Sequence, residues 1–488
     1  MSKTEHKSIK INMVLNAIKG VMGILFPLIS FPYVSKILGV ENLGKYNFSH
    51  SIISYFILLA GLGINTYAVR EGARVRDSKT EIERFASEML SINVFSTVVS
   101  YAGLFVLILI VPKFHNYTLL LVILSAQIGL KTIGIEWVYS IYEDYLYITI
   151  RSIVFHCISL LMLFVFVRSE NDLVIYAIIT VISSAGSCVL NYIHSRKYIK
   201  IHLIRGFDWK RHIKSILILF AMAVTVTIYV SSDTTILGFL CDDYTVGIYS
   251  VSVKVYTIIK TILSSVLVVS IPRLSALLGK NDKEGFTTVA SDIYCTLLTV
   301  VFPAITGIIL LRKDIVILLS DETYITATPS LTILSMALFF CLGAWFWGQC
   351  ILVPLKQEKT VFIITVICAL TNVVLNFILI PFWKENAAAF TTLIAEGVSF
   401  LWCWIKGKQY TCIRDGLKTF IKVAIGCASI FAYYVFLNLF FDGGVLYITL
   451  MIAGSVILYG VVEIVLGNGT VVDLIRSMKK KIIKKSKR

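Results

Sequence analysis

The sequence predicts an all-α, polytopic membrane protein of fourteen transmembrane helices: two parallel six-helix lobes followed by two further helices, with both termini cytoplasmic. Three observations predict it. Of the 488 residues 57% are hydrophobic and only 15% charged, against about 45–50% and about 25% in soluble domains, and the mean hydropathy is +0.84. The apolar residues come in blocks of about 20, enough to cross a hydrocarbon core about 30 Å thick. A corner motif, described below, also recurs in the second half of the chain. These features exclude a soluble multidomain enzyme. Eight prolines and few low-complexity stretches exclude a fibrous or disordered chain.

The first six helices are expected at 12–36, 46–69, 86–111, 117–140, 147–167 and 173–194. The next six are expected at 214–240, 246–270, 288–311, 328–350, 360–380 and 387–405, and the last two at 419–441 and 446–466. This divides the chain into an N-lobe (1–200), a C-lobe (201–408) and a terminal pair with a basic tail (409–488). An even number of crossings puts both ends on one side. With the N-terminus inside, 33 of the 45 Lys and Arg fall in inner segments, 7 in outer ones and the rest within spans. Basic residues are retained on the cytoplasmic side, and so large a bias sets the orientation. The outer segments are short, the longest being about Arg312–Thr326, which leaves no room outside the membrane for a catalytic domain.

The net charge of +16 follows the same placement. The tail Lys479–Arg488 carries no interleaved aromatic residues, so it is read as an anchor to anionic membrane lipids rather than a nucleic-acid arm. The first apolar block lacks a small-residue cleavage site and reads as a retained helix. Ten cysteines without a C-x-x-C pair and seven scattered histidines predict no disulfide framework, metal or cofactor.

The repeat lies at two corners. Helix 1 ends in Ile37-Leu38-Gly39 and helix 2 opens at Gly44-Lys45-Tyr46; helix 7 ends in Ile236-Leu237-Gly238 and helix 8 opens at Gly247-Ile248-Tyr249. The same joint in two six-helix units indicates a parallel duplication, the plan of transporters whose lobes rock about a central site. The competing reading is two unrelated tight turns.

Ionisable residues within the spans are costly, at least about 2.5–3.5 kcal/mol each, and therefore face a polar cavity or pair. Helix 1 carries Asn12, Asn16, Lys19, Gly20, Gly23 and Pro27 along one face, as spacings of four and seven residues dictate. Gln127, Lys131 and Gly134 share a face of helix 4, and Ser250, Lys254, Thr257 and Thr261 share one of helix 8. Lys19, Lys131 and Lys254, with Asn16, Gln127, Arg151 and Lys260, are the candidate lining of a cationic lumen, which suits an anionic ligand. The competing reading is structural pairing or snorkelling. Asp233 and Lys254 are expected at similar depth and could pair, and Glu136 and Glu143 could neutralise Arg151. The stretches Ser78–Arg84 and Arg205–Lys214 read as interfacial, with no chemical role.

Four blocks carry a resemblance: Ile37–Tyr46; Glu136-Trp137 with Glu143-Asp144-Tyr145 and Ile150-Arg151-Ser152; Asp233 through Tyr249 with Ile271-Pro272-Arg273; and Asn372–Asn376 with Leu379-Ile380-Pro381, Ala387–Ala389 and Glu396. In this order they resemble the polysaccharide-transporter family (Wzx-type O-antigen or capsule repeat-unit flippases) of the multidrug/oligosaccharidyl-lipid/polysaccharide exporter superfamily. One departure is that the family usually has a glycine where Ala387 stands. The resemblance implies a flippase, not an enzyme, that moves undecaprenyl-diphosphate-linked oligosaccharide across the bacterial inner membrane by alternating access. It further implies coupling to an ion gradient, with Asp233 or Glu396 as the titrating carboxylate, and a polysaccharide polymerase and chain-length regulator as partners. A lipid II flippase, a multidrug or cation antiporter and a membrane polymerase or ligase are the rival readings.

Overall fold

The structure is a computed structural model that describes residues 9–441 and 443–473, with the side chains of residues 18, 20–23 and 25 onward. Asn12, Asn16 and Lys19 belong to the first helix, but their side chains lie outside the described residues, as does the lysine tail beyond 473. Every regular element among the described residues is helical. Large apolar side chains stand outward: Val269, Phe382 and Val465 are each more than three-quarters exposed. In a chain with twelve helices long and apolar enough to cross a membrane among its described residues, such side chains meet lipid, and the polar groups turn inward.

Twelve continuous spans stand among the described residues where fourteen helices were expected, because two joints are one residue wide. Helix α1 runs Ile9–Gly61 through Gly39, at φ 73° and ψ 173°. Helix α14 runs Glu358–Gly407 through Lys384, at φ 48° and ψ −127°. Three residues before Lys384, Pro381 removes a backbone donor and weakens the helix there. A single left-handed residue redirects the chain without the loop that the apolar pattern suggested.

The chain divides into two compact units, Met1–Ser250 and Val251–Arg488. In the first, α1 packs against α3 (Lys79–Ile110), α4 (Thr118–Gly134), α6 (Tyr145–Phe166) and α9 (Lys210–Leu240). The two repeated corners meet here. A Cβ on Gly44 would stand 1.8 Å from the Asp243 carbonyl oxygen, and one on Gly247 would stand 2.1 Å from that of Val40. Only glycine lets these backbones approach, so the second corner is seated on the first. The polar residues of α3 serve α1: Asn93 and Ser96 both donate to the Ala60 carbonyl, at 2.7 and 2.5 Å, and Ser100 donates to that of Phe56 at 2.7 Å. The Ala60 carbonyl is among the last four of α1, where intrahelical donors run out.

In the second unit α13 (Thr328–Trp345) packs along α14, and α11 (Lys283–Leu310) packs against α15 (Gly416–Leu437), which in turn packs on α16 (Val445–Val465). Asn372, Asn376 and Thr391 of α14 form a buried hydrogen-bonded set, Thr391 donating to Asn376 Oδ1 at 2.5 Å.

Candidate functional site

A cavity of about 370 Å³ opens inside the first unit, lined by residues that include Asn65, Asn93, Lys131, Glu136, Ser184 and Cys188. Its distinguishing feature is the backbone around it. Helix α1 stops at Gly61, residues Leu62 and Gly63 turn left-handed at φ 45° and 71°, and α2 (Ile64–Val75) begins. Helix α4 stops at Gly134, Ile135 turns left-handed at φ 36°, and α5 (Glu136–Ile141) begins. Ser184 sits in a π-helical turn, Ile182–Gly186, between α7 (Leu173–Val181) and α8 (Cys188–Ser195). Three irregularities in three spans therefore border one cavity. Non-helical backbone at membrane depth is tolerated where it lines a cavity, and broken helices and π-turns mark sites where ligands are held.

The side chains complete it. Lys131 makes no salt bridge among the described residues; Glu136 and Cys188 are its electrostatic neighbours. The Ser184 hydroxyl donates to Gln127 Oε1 at 2.9 Å, so Gln127, 2% exposed, positions Ser184 from behind the wall. Thr97 and Thr132 share a hydrogen bond of 2.6 Å. Glu136 accepts from Arg151 Nη2 at 2.7 Å, and the Arg151 side chain is 6% exposed against 44% for Glu136. Arg151 Nε and Nη1 have no hydrogen-bond partner among the described residues. The guanidinium thus holds a carboxylate at the cavity edge from within the protein. Just outside the spans, Tyr198 donates to Asp144 at 2.6 Å; burial and that carboxylate together hold its hydroxyl well above the ordinary tyrosine range.

The expectation for Arg151 is half corrected. Glu136 neutralises it, whereas Glu143 pairs with Arg76 at 3.2 Å, since the left-handed turn at Glu143 carries that side chain to the end of α2. Of the expected lining residues of this unit, Lys131 lines the cavity, whereas Gln127 and Arg151 each hold a lining residue, Ser184 and Glu136, from behind. Asp233, on α9, accepts from Tyr249 at 2.9 Å. In the second unit Lys254 is half-buried on α10 (Asp243–Gly279). Lys260 of the same helix lies over the Tyr256 ring at 5.4 Å, and Tyr256 donates to the buried Glu396 at 3.3 Å; Cys341 and Glu396 complete the surroundings of Lys260. The reading from sequence missed Asn65, Asn93 and Ser184 as lining residues. The pair of glycines at 61 and 63 inside an apolar span was the available signal.

Fold and cavity define a multi-pass helical membrane protein with the broken-helix interior of transporters. The model of the polysaccharide biosynthesis protein family matches residues 10–278, more than half the chain, and the chain belongs to that family; a second model, MatE, matches residues 218–378. A putative O-antigen transporter of Escherichia coli (strain K12) is 23% identical over 397 residues, 80% of this chain and 95% of that protein. The capsular polysaccharide biosynthesis protein CapF of Staphylococcus aureus is 23% identical over 368 residues, 74% of this chain and 89% of that one. Among solved structures, the lipid II flippase MurJ in an inward closed conformation superposes with a TM-score of 0.74 at 16% identity, covering 95% of this chain and 99% of its own. An inward-facing multidrug resistance MATE family transporter of the MOP superfamily superposes at 0.60 with 14% identity, covering 82% and 98%. Both likenesses concern the fold.

Proposed function

We propose that the protein is a flippase for undecaprenyl-diphosphate-linked oligosaccharide, taking the repeat unit from the cytoplasmic to the outer face of the bacterial inner membrane. The observation that carries this reading is the cavity where three broken helices meet beside Lys131. A polyprenyl tail stays in lipid unaided, while a diphosphate and its sugars need a polar path. Lys131 supplies positive charge for the diphosphate, and the amides and hydroxyls of Asn65, Asn93 and Ser184 suit sugars. A volume of about 370 Å³ lies within the usual range of ligand pockets, about 300–1,000 Å³.

Candidate spans of 56 and 50 residues would measure about 75–84 Å at about 1.5 Å per residue, over twice the hydrocarbon thickness. Each therefore crosses twice, giving fourteen crossings with both ends inside. The lobes 1–200 and 201–408 rock to give alternating access, with helices 13 and 14 appended. Asn16, Lys19 and Lys254 are the further candidate contacts that the sequence offers for the anionic head, and Asp233 or Glu396 titrates with the driving ion. A polysaccharide polymerase and a chain-length regulator receive the product, and anionic lipids hold the tail.

The experiment is the sidedness of undecaprenyl-linked saccharide in membranes of a host carrying the cognate sugar pathway, with and without the protein. Retention of the lipid-linked unit on the cytoplasmic face without it supports the flippase. Units that reach the outer face regardless, and stay unpolymerised, overturn the reading in favour of an enzyme.

A further inference from the structure

Beyond the cavity, the first unit holds a buried chain of titratable groups. His212, 4% exposed, is engaged on both ring nitrogens: Nε2 lies 3.0 Å from Glu88 Oε2, and Nδ1 lies 2.9 Å from the Tyr67 hydroxyl. Arg84 Nε donates to the other Glu88 oxygen at 3.1 Å. The three groups come from α9, α3 and α2; Tyr67 belongs to an apolar cluster with Ile82, Phe85 and Ile216, and the Phe85 ring also meets His212 edge-on. They open on a separate cavity of about 490 Å³. Facing them there are Arg211 from α9, Glu71 and Arg74 from α2, and Glu81 from α3. Arg70 of α2 lies over the Tyr67 ring and pairs with Glu71.

With Glu88 ionised, Nε2–H donates to it, and the bare Nδ1 accepts the Tyr67 O–H. The three arginines and three glutamates that line the cavity then balance. A proton that reaches the ring settles on Nδ1, which makes both nitrogens donors. Tyr67 must then reverse, accepting from Nδ1 and turning its own proton toward the cavity.

That reversal acts on the candidate site, because Tyr67 stands one turn into α2, the helix that begins at the Gly61–Gly63 break. The same α9 touches the break directly: a Cβ on Gly63 would stand 2.9 Å from the Phe220 nitrogen. Helix α2 is thus held to α9 at two points, one of them a titratable hydrogen bond. We propose that Glu88, His212 and Tyr67 form a proton-binding site that governs, through α2, the opening of the Lys131 cavity. The proposal rests on the transport reading and places a proton-responsive element outside Asp233 and Glu396. Histidine is the side chain whose ordinary titration falls within about pH 5–8, the range in which a proton gradient acts.

Two readouts test it, neither needing a translocated lipid. In ¹⁵N-histidine-labelled full-length protein in nanodiscs, the signals lost in His212→Gln identify the ring, which is expected to change protonation state within about pH 5–8; a ring fixed in one state across that range overturns the proposal. In the second, a cysteine at the cavity residue Asn65 (Asn65→Cys) is labelled and its modification rate read by peptide mass spectrometry. The rate is expected to differ at least about threefold between the two ends of the range, since a proton that prefers one of two states shifts their populations. The difference should vanish in His212→Gln and in Tyr67→Phe, which removes one hydroxyl and keeps the ring packing. An unchanged pH dependence in Tyr67→Phe overturns the coupling. Should the sidedness assay fail while these readouts succeed, the transport reading falls and the proton site stands.

Discussion

Lys131 and Lys260 are both lysines in apolar helices, and their surroundings divide them. Lys260 lies on an aromatic ring of its own helix, with Tyr256, Cys341 and Glu396 close by. Its charge is answered by a cation–π contact and a nearby carboxylate, so the cluster is internally complete. Lys131 stands where three helices are interrupted, makes no ion pair among the described residues, and faces a cavity. Its nearest carboxylate, Glu136, is already taken by Arg151. A charge in a membrane interior is thus stabilised either by protein groups or by leaving room for something else. The broken backbone distinguishes the second case.

The sharpest way to break this comparison is to remove each lysine in turn. Lys131→Ala is expected to lower translocation at least about tenfold, the loss of about 1.4 kcal/mol or more of ligand interaction, measured by the sidedness assay at matched expression. Lys260→Met should leave translocation within about threefold and lower thermal stability by about 0.5–1 kcal/mol, the cation–π contribution. Equal effects from the two would erase the distinction.

The next largest effect concerns the Arg151–Glu136 pair. Glu136→Gln strands a buried guanidinium that already has two unsatisfied nitrogens. Breaking a buried pair costs about 3–5 kcal/mol, and the partial exposure of Glu136 reduces this to about 2 kcal/mol. Denaturation in detergent measures it, and Arg151→Met should be less damaging because it leaves no buried charge behind.

A third comparison concerns backbone. Gly63→Ala places a methyl at φ 71° and 2.9 Å from the α9 backbone, and is expected to destabilise by about 1–3 kcal/mol. Gly397 lies in the continuous part of α14, and a methyl added there would meet nothing within 4 Å, so Gly397→Ala should stabilise by up to about 1 kcal/mol. The same sign at both positions, in thermal unfolding, would show that the break at 61–63 is not a built feature.

Much of this was legible in sequence because it rests on local physics. Hydropathy over twenty residues marks a span wherever that span packs, and the repeated I-L-G…G-x-Y corner was visible as a string. Lys131 and Gln127 stood out because polar groups in hydrocarbon need a reason. Other features were not legible. The stretches around Arg84 and His212 read as interfacial and without chemical role, yet they converge on Glu88. Nothing in either stretch names the other, for they are more than a hundred residues apart, and Glu88 sits in an otherwise ordinary helix.

The sequence by itself determined the class: helices that must cross lipid, their number of apolar blocks, and which spans carry polar groups that water or a partner must satisfy. These follow from transfer free energies, which each segment expresses alone. Only the tertiary structure decided that the two corners interlock through Gly44 and Gly247, that Arg151 belongs to Glu136 and not Glu143, and that the interruptions at 62–63, 135 and 182–186 border one cavity. Those outcomes depend on distances between segments remote in the chain, and a left-handed residue or a π-turn persists only where the surrounding packing holds it.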